Sequence, residues 1–263
     1  MAKKKGGFSF RSLRAALDSS PLWGAARVED TYSLLGHALR KALSVIARQQ
    51  QRELAAVAND AGAEMVTGSS LKAALDSDWD DPIAKAQALA TILQALDEVE
   101  SWVEQLPHLD DTTATKVEES LAVGRQVQTQ NVEQFGDGSP KLRKGVAKDQ
   151  RISIEDAEMR HGRKSRSQRF DGYKRHALTD LDLGVVRAVG ITLANVPEAA
   201  VTDGITADLA IQNVELKELH IDRAYLSSQL VKQRPEDLVN VPLRKNSLDS
   251  STICSKVPAN FQP

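Results

Sequence analysis

The first apolar segment of the chain is short and ends at an acidic residue. Residues 11–17 alternate weakly between polar and apolar side chains and lead to Asp18, which precedes the turn-prone sequence Ser19-Ser20-Pro21. Apolar runs bounded by such residues are typical of β-strands. The pattern predicts a strand over 11–17 that places Asp18 at its carboxyl end.

A long helical stretch follows. From 28 to 135, apolar residues recur at spacings of three and four, as at Leu35, Leu39 and Leu43. Asp81-Pro82 combines a helix-capping residue with a proline suited to the first turn. We expect several antiparallel helical segments between 28 and 135.

The last third of the chain alternates between strand and helix patterns. Strands are predicted at 170–178 and 185–193, joined by a hairpin loop rich in aspartate and glycine. A helix is expected after Asn195, then a strand over 216–221 that ends at Asp222, then a helix over 224–233 that stops before a proline.

This order predicts an α/β fold, a mixed sheet flanked by helices with a large helical insertion after the first strand. It matches the ribonuclease-H-like arrangement, in which the first and fourth strands are neighbours. The sequence predicts five divisions. They are a first core strand (11–27), a helical insertion (28–135), a basic linker (136–169), the remainder of the core (170–238) and an irregular tail (239–263).

Composition narrows the class of protein. The 263 residues are 41% hydrophobic and 27% charged, and no segment is apolar enough for a membrane span or a signal peptide. We therefore expect a cytoplasmic protein without membrane contact. The single cysteine, Cys254, excludes an internal disulfide and a cysteine metal cluster, so a bound metal would have oxygen ligands.

The net charge of −2 conceals an uneven distribution. Residues 50–135 contain 16 Asp/Glu and 5 Lys/Arg, a balance of −11, whereas 160–187 contain 8 Lys/Arg and 3 Asp, a balance of +5. A basic stretch of this kind is typical of phosphate contacts, and a solvated basic loop is the alternative. The predicted DNA contacts are Arg160, Arg163, Lys164, Arg166, Arg169, Lys174, Arg175 and Arg223.

Two predicted strands each deliver one aspartate. If the strands are neighbours, Asp18 and Asp222 form the smallest site for Mg²⁺, which binds through one or two carboxylates together with substrate phosphates. Taken alone, Asp18 would fit a helix cap better than a metal site. If the two strands are neighbours, we expect both aspartates to be catalytic and to bind the metal.

Four motifs resemble those of bacterial insertion-sequence transposases of the DDE type. They are ALDSSPLWG at 16–24, EMRHGRKS at 158–165, FDGYKRH at 170–176 and HIDRAYL at 220–226, and they occur in the family's order. The resemblance extends from about residue 12 to about residue 238.

The resemblance implies a ribonuclease-H-like catalytic domain that cleaves and joins insertion-sequence DNA by metal-dependent phosphoryl transfer. It implies Mg²⁺ or Mn²⁺ as cofactor, transposon ends and target DNA as partners, and allows a homodimer. Asp18 and Asp222 match the family's first two acidic positions. In that family, the third acidic position is a glutamate on a later helix.

The family pattern is incomplete in this chain. Only 17 residues precede Asp18, and about 40 follow Asp222, so we expect the copy to be truncated at both ends. Glu236 is the only glutamate after Asp222, and it follows Pro235 too closely in sequence to match a separate later helix. The third carboxylate is therefore not evident.

Three hypotheses remain at this point. The first is a transposase catalytic domain, present as an incomplete copy. The second is a noncatalytic fragment that binds DNA or a partner, which predicts salt-sensitive DNA binding without the aspartates. The third is a helical interaction protein in which 28–135 is the active part.

Overall fold

A long strand, β1 (Ser12–Trp23), lies at the centre of the principal sheet. The structure, a computed structural model, describes residues 12–107, 109–134, 136, 138–233, 239–242 and 254–256. The later strands described for this sheet are β4 (Arg160–Arg163), β5 (Arg169–Asp180), β6 (Val186–Leu193), β7 (Glu215–Ile221), β8 (Val239–Pro242) and β9 (Cys254–Lys256).

The helices between β1 and β4 are α1 (Thr31–Gln50), α2 (Leu54–Asp60), α3 (Leu71–Ala74), α4 (Pro82–Glu104) and α5 (Asp111–Asn131). A small two-stranded sheet follows them, β2 (Val132–Gln134) with β3 (Pro140–Leu142). The predicted helix start is confirmed, because the Asp81 carboxylate accepts hydrogen bonds from the backbone N–H groups of Ile83 and Ala84 at the start of α4.

The principal sheet is mixed. Strand β1 pairs antiparallel with β5 and parallel with β7, β5 pairs antiparallel with β6, and β7 pairs parallel with β8. The order β6-β5-β1-β7-β8 places the first strand beside the seventh, far away in sequence. This mixed α/β arrangement is compatible with a ribonuclease-H-like fold.

Strand β1 is longer than the sequence predicts. Its parallel pairing with β7 ends at Leu17, but its antiparallel pairing with β5 continues to Trp23, through Pro21 opposite Lys174. Proline has no N–H to donate, and strand edges tolerate it. Ser19-Ser20-Pro21 is therefore strand rather than turn, and Asp18 lies within β1 rather than at its end.

The second half of the chain follows the predicted order with one correction. The predicted hairpin is present as β5 and β6, and the strand over 216–221 is β7. Helix α6 (Thr202–Ile211) follows a 3₁₀ turn, Glu198–Val201. The predicted helix over 224–233 is wrong, because the structure has a 3₁₀ turn at Arg223–Tyr225 and a single short helix, α7 (Gln229–Lys232).

The chain forms two compact units, residues 1–24 with 161–263 and residues 25–160. Each has its own apolar core. In the sheet unit, Leu17 and Ile221 pack with Ile205 of α6, and in the helical unit Leu39 and Leu43 of α1 pack with Leu89 of α4. Among the described helices, none has the length and apolarity needed to cross a membrane.

Candidate active site

The structure brings the two predicted aspartates together. In the parallel ladder of β1 and β7, Leu17 pairs with Ile221, and Asp18 and Asp222 are the next residue of each chain segment. Neighbouring strands lie about 4.8 Å apart. Leu17 and Ile221 both face the apolar core, so the residue after each points to the opposite face of the sheet. Both aspartates are exposed on that face.

Each aspartate is held by one backbone N–H and keeps one oxygen available. Asp18 Oδ1 accepts from the Ser19 N–H at 2.8 Å, and Asp222 Oδ1 accepts from the Ala224 N–H at 2.6 Å. The Oδ2 atoms have no hydrogen-bond partner among the described residues. Two hard oxygen donors fit Mg²⁺ or Mn²⁺ if substrate phosphates supply further ligands.

A third protein ligand is not present in the described part of the chain. There, no group of three or more histidine, cysteine, aspartate or glutamate side chains is arranged to hold a metal ion. Glu236, the glutamate considered from sequence, lies outside the described residues. The aspartate pair is therefore a two-carboxylate arrangement as far as the structure describes it.

Behind the aspartates lies a polar network that the sequence analysis missed. The Tyr225 hydroxyl is 2.8 Å from His176 Nδ1, and His176 Nε2 is 3.0 Å from Thr192 Oγ1. Tyr225 also hydrogen-bonds the Ser19 side chain. The network thus links the residue after Asp18 to the turn that begins at Asp222.

Burial sets the protonation of this network. Burial and the nearby charge of Lys174 lower the pKa of His176 to about 4, so its imidazole is neutral at pH 7. Burial raises the pKa of Tyr225, and the negative charges of Glu198, Asp18 and Asp222 raise it further. Tyr225 therefore keeps its proton and can donate a hydrogen bond.

Glu198 is a second feature that the sequence analysis did not identify. Its Oε1 accepts a hydrogen bond from the Ser19 hydroxyl at 2.8 Å and lies 3.9 Å from Lys174 Nζ. Both charged side chains are only about one-seventh exposed, at 14% and 13%. The signal in the sequence was weak, a glutamate directly after Pro197 at the start of a helical turn.

Two of the predicted DNA contacts lie beside the aspartates. Lys164 Nζ donates to the backbone oxygen of Ser19 at 2.6 Å, and the Arg175 guanidinium donates to Ser20 Oγ at 3.1 Å and 3.2 Å. Arg175 pairs with Ser20 in the ladder, so it shares the open face with Asp18. Both cations are thus placed next to the acidic pair.

Lys174 is placed differently from its neighbour. It points to the buried face, where Nζ donates to the Val196 backbone oxygen at 2.8 Å and lies near Glu198. This geometry favours a structural role for Lys174 over contact with DNA, because its ammonium group is already bound.

The remaining predicted DNA contacts fall into two groups, one bound within the protein and one exposed. Arg160 donates to the backbone oxygens of Ala157 and Met159, so its guanidinium fixes a loop. Four others have exposed side chains that meet no partner within the described residues: Arg163, Arg166, Arg169 and Arg223. The first three lie on the β4–β5 hairpin, which is closed by a hydrogen bond from the Lys164 N–H to the Gln168 backbone oxygen.

Comparison with known families gives a match to the second half of the chain. Residues 126–247 match the family model described as "Transposase DDE domain". The match covers 122 of the 263 residues (247 − 126 + 1), and it includes Asp222 but not Asp18. Neither a curated protein nor a solved structure gives a significant match to the chain.

Proposed function

We propose that this chain is the catalytic part of an insertion-sequence transposase, because residues 126–247 match the family model described as "Transposase DDE domain". The proposed activity is the cleavage and strand transfer of insertion-sequence DNA. The proposed partners are transposon ends and target DNA. We also propose that the protein is cytoplasmic and can form a homodimer, as expected from the sequence.

One observation supports the proposal most directly. Asp18 and Asp222, separated by two hundred residues of chain, follow paired positions of neighbouring parallel strands and face the same side of the sheet. The sheet order also supports a ribonuclease-H-like core, because the central strand carries one aspartate and its parallel neighbour leads to the other. The parallel pairing of β1 with β7 ends just before these aspartates, and ligand sites of open α/β sheets typically lie beyond the carboxyl ends of parallel strands.

Asp18 and Asp222 would hold Mg²⁺ or Mn²⁺ through their available Oδ2 atoms. When bound, such an ion lowers the pKa of a water and offsets negative charge on a phosphate oxygen. Glu198 is not proposed as a ligand, because Ser19 already donates to its carboxylate and Lys174 lies close to it.

The surrounding residues would position the aspartates and the DNA. Tyr225 and Ser19 tie the two aspartate-bearing segments together, which fixes the carboxylates before substrate binds. Fixed donors cost no reorganisation during the reaction. Arg175 would contact a phosphate close to the pair, and the exposed arginines 163, 166, 169 and 223 would hold the DNA backbone farther away.

Substitution of the aspartates tests this proposal. In a strand-cleavage assay with Mg²⁺ or Mn²⁺, we expect Asp18→Asn and Asp222→Asn each to reduce the rate about 100-fold or more, since each removes a charged metal ligand. Asp203→Asn is the matched control, because Asp203 is an exposed aspartate at the start of α6. Metal-dependent cleavage that both site variants retain would contradict the proposal.

Metal binding provides a second measurement of the same site. Mn²⁺ should raise the melting temperature of the wild type and of Asp203→Asn, and it should raise that of Asp18→Asn or Asp222→Asn less, since a ligand stabilises the state that binds it. An equal shift in all four proteins would indicate that Mn²⁺ binds elsewhere.

A noncatalytic DNA-binding fragment is the second candidate function. The observation that favours it is the group of exposed arginines on the β4–β5 hairpin, Arg163, Arg166 and Arg169, which can contact DNA phosphates without the aspartates. This candidate predicts that DNA binding is strong, salt-dependent and unchanged in Asp18→Asn and Asp222→Asn, and that the wild type shows no metal-dependent cleavage.

A further inference from the structure

The helical unit, residues 25–160, contains an open groove with a volume of about 1120 Å³ between α1, α5 and the segment around Arg151. Its lining is strongly basic, with six cationic residues, Arg27, Arg40, Lys41, Arg48, Lys116 and Arg151. Three acidic residues also line it, Glu29, Glu119 and Glu155. With histidine neutral, the balance of the lining is +3 (6 − 3).

This charge is opposite to that of the unit. Residues 25–160 contain 15 Lys/Arg and 23 Asp/Glu, a balance of −8. The fold therefore gathers six of the 15 cations of an acidic unit around one groove. A cleft lined by one sign of charge raises the local concentration of ligands of the opposite sign.

Two of the six cations build the groove itself. Arg40 Nη1 donates to the backbone oxygens of Val66, Thr67 and Gly68 at 2.7–2.9 Å, and Arg151 donates to those of Ser153 and Ile154. These guanidinium groups fix loops at the groove while keeping their positive charge. Arg40 and Arg151 contribute to the positive electrostatic potential of the groove, but their side chains are held in place and cannot move to contact a ligand.

Lys41, Arg48 and Lys116 are different, because they are exposed and have no side-chain partner among the described residues. Other cations of this unit do find acids. Arg52 pairs with Asp60, and Arg125 with Asp97 and Glu100. Lys41, Arg48 and Lys116 are therefore available to an anionic ligand at this groove.

One of the acidic lining residues is largely buried and hydrogen-bonded within the protein. Glu29 is 7% exposed and its Oε1 lies 2.5 Å from His37 Nδ1, so the imidazole stands next to this carboxylate. The acids that face the groove openly are Glu119 and Glu155, both exposed. Two of the three acidic side chains of the lining are therefore exposed at the groove, beside the exposed cations Lys41, Arg48 and Lys116.

The spacing of the cations suits an extended anion. Lys41 and Arg48 are seven residues apart on one face of α1, which corresponds to about 10 Å along the helix axis. Each strand of duplex DNA has one phosphate per about 3.4 Å of axis, so this distance corresponds to about three base pairs. Lys116, on α5, is placed on another element of the same groove.

We propose that this groove binds the phosphate backbone of duplex DNA, with Lys41, Arg48 and Lys116 as its contacts. The inference rests on DNA as the partner in the proposed function, and it adds a DNA-binding surface in the helical unit, made of residues other than the aspartate pair and the basic hairpin. Contacts of this type position DNA and carry no base specificity.

The test compares two double variants of the full chain. Lys41→Gln/Lys116→Gln removes two groove charges, and Lys85→Gln/Lys144→Gln removes two charges from the same unit outside the groove. Binding to a labelled duplex of mixed sequence is measured by fluorescence anisotropy, with EDTA present, over a series of salt concentrations. Circular dichroism checks that both variants are folded.

We expect the groove variant to reduce the slope of log K against log[salt] by about 2, because each lost phosphate contact removes about 0.9. Its affinity at moderate salt should fall about tenfold or more, whereas the control should keep the wild-type slope. An unchanged slope in the groove variant, an equal loss in the control, or a wild type that does not bind the duplex would overturn the proposal.

This experiment is independent of the aspartate test. A groove variant that binds DNA normally, in a protein whose cleavage depends on Asp18 and Asp222, would overturn the groove alone. A reduced slope in a protein whose cleavage does not depend on those aspartates would support the groove and overturn the active site.

Discussion

His176 is fully buried, although Lys174 and Arg175 precede it on β5. Its ring bonds Tyr225 on one side and Thr192 on the other, so both nitrogens have partners when the ring is neutral. Protonation would leave two donors, one facing the Tyr225 hydroxyl, in a site that burial already makes unfavourable for charge. His176 thus couples the packing of this region to pH.

The stability of the sheet unit should fall in mild acid. The pKa of His176 is about 4 in the folded state against an ordinary value of 6.5, so the unfolded chain takes up the proton first as the pH falls. The contribution of neutral His176 is present above about pH 6.5 and is lost between 6.5 and 4. Between pH 7.5 and pH 5 we expect a loss of about 2 kcal/mol.

Hydrogen exchange measures this loss, through protection factors of the β5 amides at several pH values. His176→Gln is the control, because glutamine keeps hydrogen-bonding capacity but does not titrate. The pH dependence of protection should be weaker in that variant. If both proteins lose protection equally between pH 7.5 and pH 5, His176 does not account for the effect.

Strand β5 depends on a glycine where it meets the end of β1. Gly172 pairs with Trp23 and has a φ of +143°, a conformation that side chains disfavour. A Cβ at this position would lie 2.3 Å from both the Gly24 nitrogen and the Leu22 backbone oxygen. Backbone atoms cannot move aside as a side chain can, so the close approach of these strands requires glycine.

Gly172→Ala should therefore destabilise the sheet unit by about 3 kcal/mol, through both strain and overlap. Gly204→Ala is the matched control in α6, where a Cβ would meet no heavy atom within 4 Å and φ is ordinary. Alanine favours helix over glycine by up to about 1 kcal/mol, so this variant should be neutral or more stable. Thermal unfolding measures the stability of both variants. A Gly172→Ala protein as stable as the wild type would show that position 172 does not require glycine.

The two compact units differ in how the chain builds them. The sheet unit needs both ends of the described chain, because β1 lies between β5 and β7. The helical unit is one continuous segment, residues 25–160, with its own buried core from α1, α2, α4 and α5. A continuous segment with its own core meets the usual requirement for independent folding.

We expect residues 25–160, expressed alone, to fold. The segment should give a helical circular dichroism spectrum and a cooperative thermal transition, because the core it needs lies within it. Residues 161–263 alone should not form the sheet, since its central strand β1 would be missing. An unfolded 25–160 segment would show that the helices depend on the rest of the chain, and it would also weaken the hypothesis of an autonomous helical interaction protein.

Local patterns determined much of what was predicted correctly. The Asp81-Pro82 helix start, the β5–β6 hairpin and the strand before Asp222 all depend on residues close together in sequence. Capping, turn formation and alternation act over a few residues, so the chain displays them directly.

Tertiary structure alone decided the features that join distant residues. Pro21 stays in β1 because β5 pairs with it, Glu198 meets Ser19 across 179 positions, and Lys41 and Lys116 share one groove. None of these follows from local propensity, because each depends on which elements pack together. The sequence by itself determined the strand that leads to Asp222 and a strand pattern that leads to Asp18, which the fold extends to Trp23. Only the fold decided that these strands are neighbours, since pairing is fixed by the packing of the whole sheet.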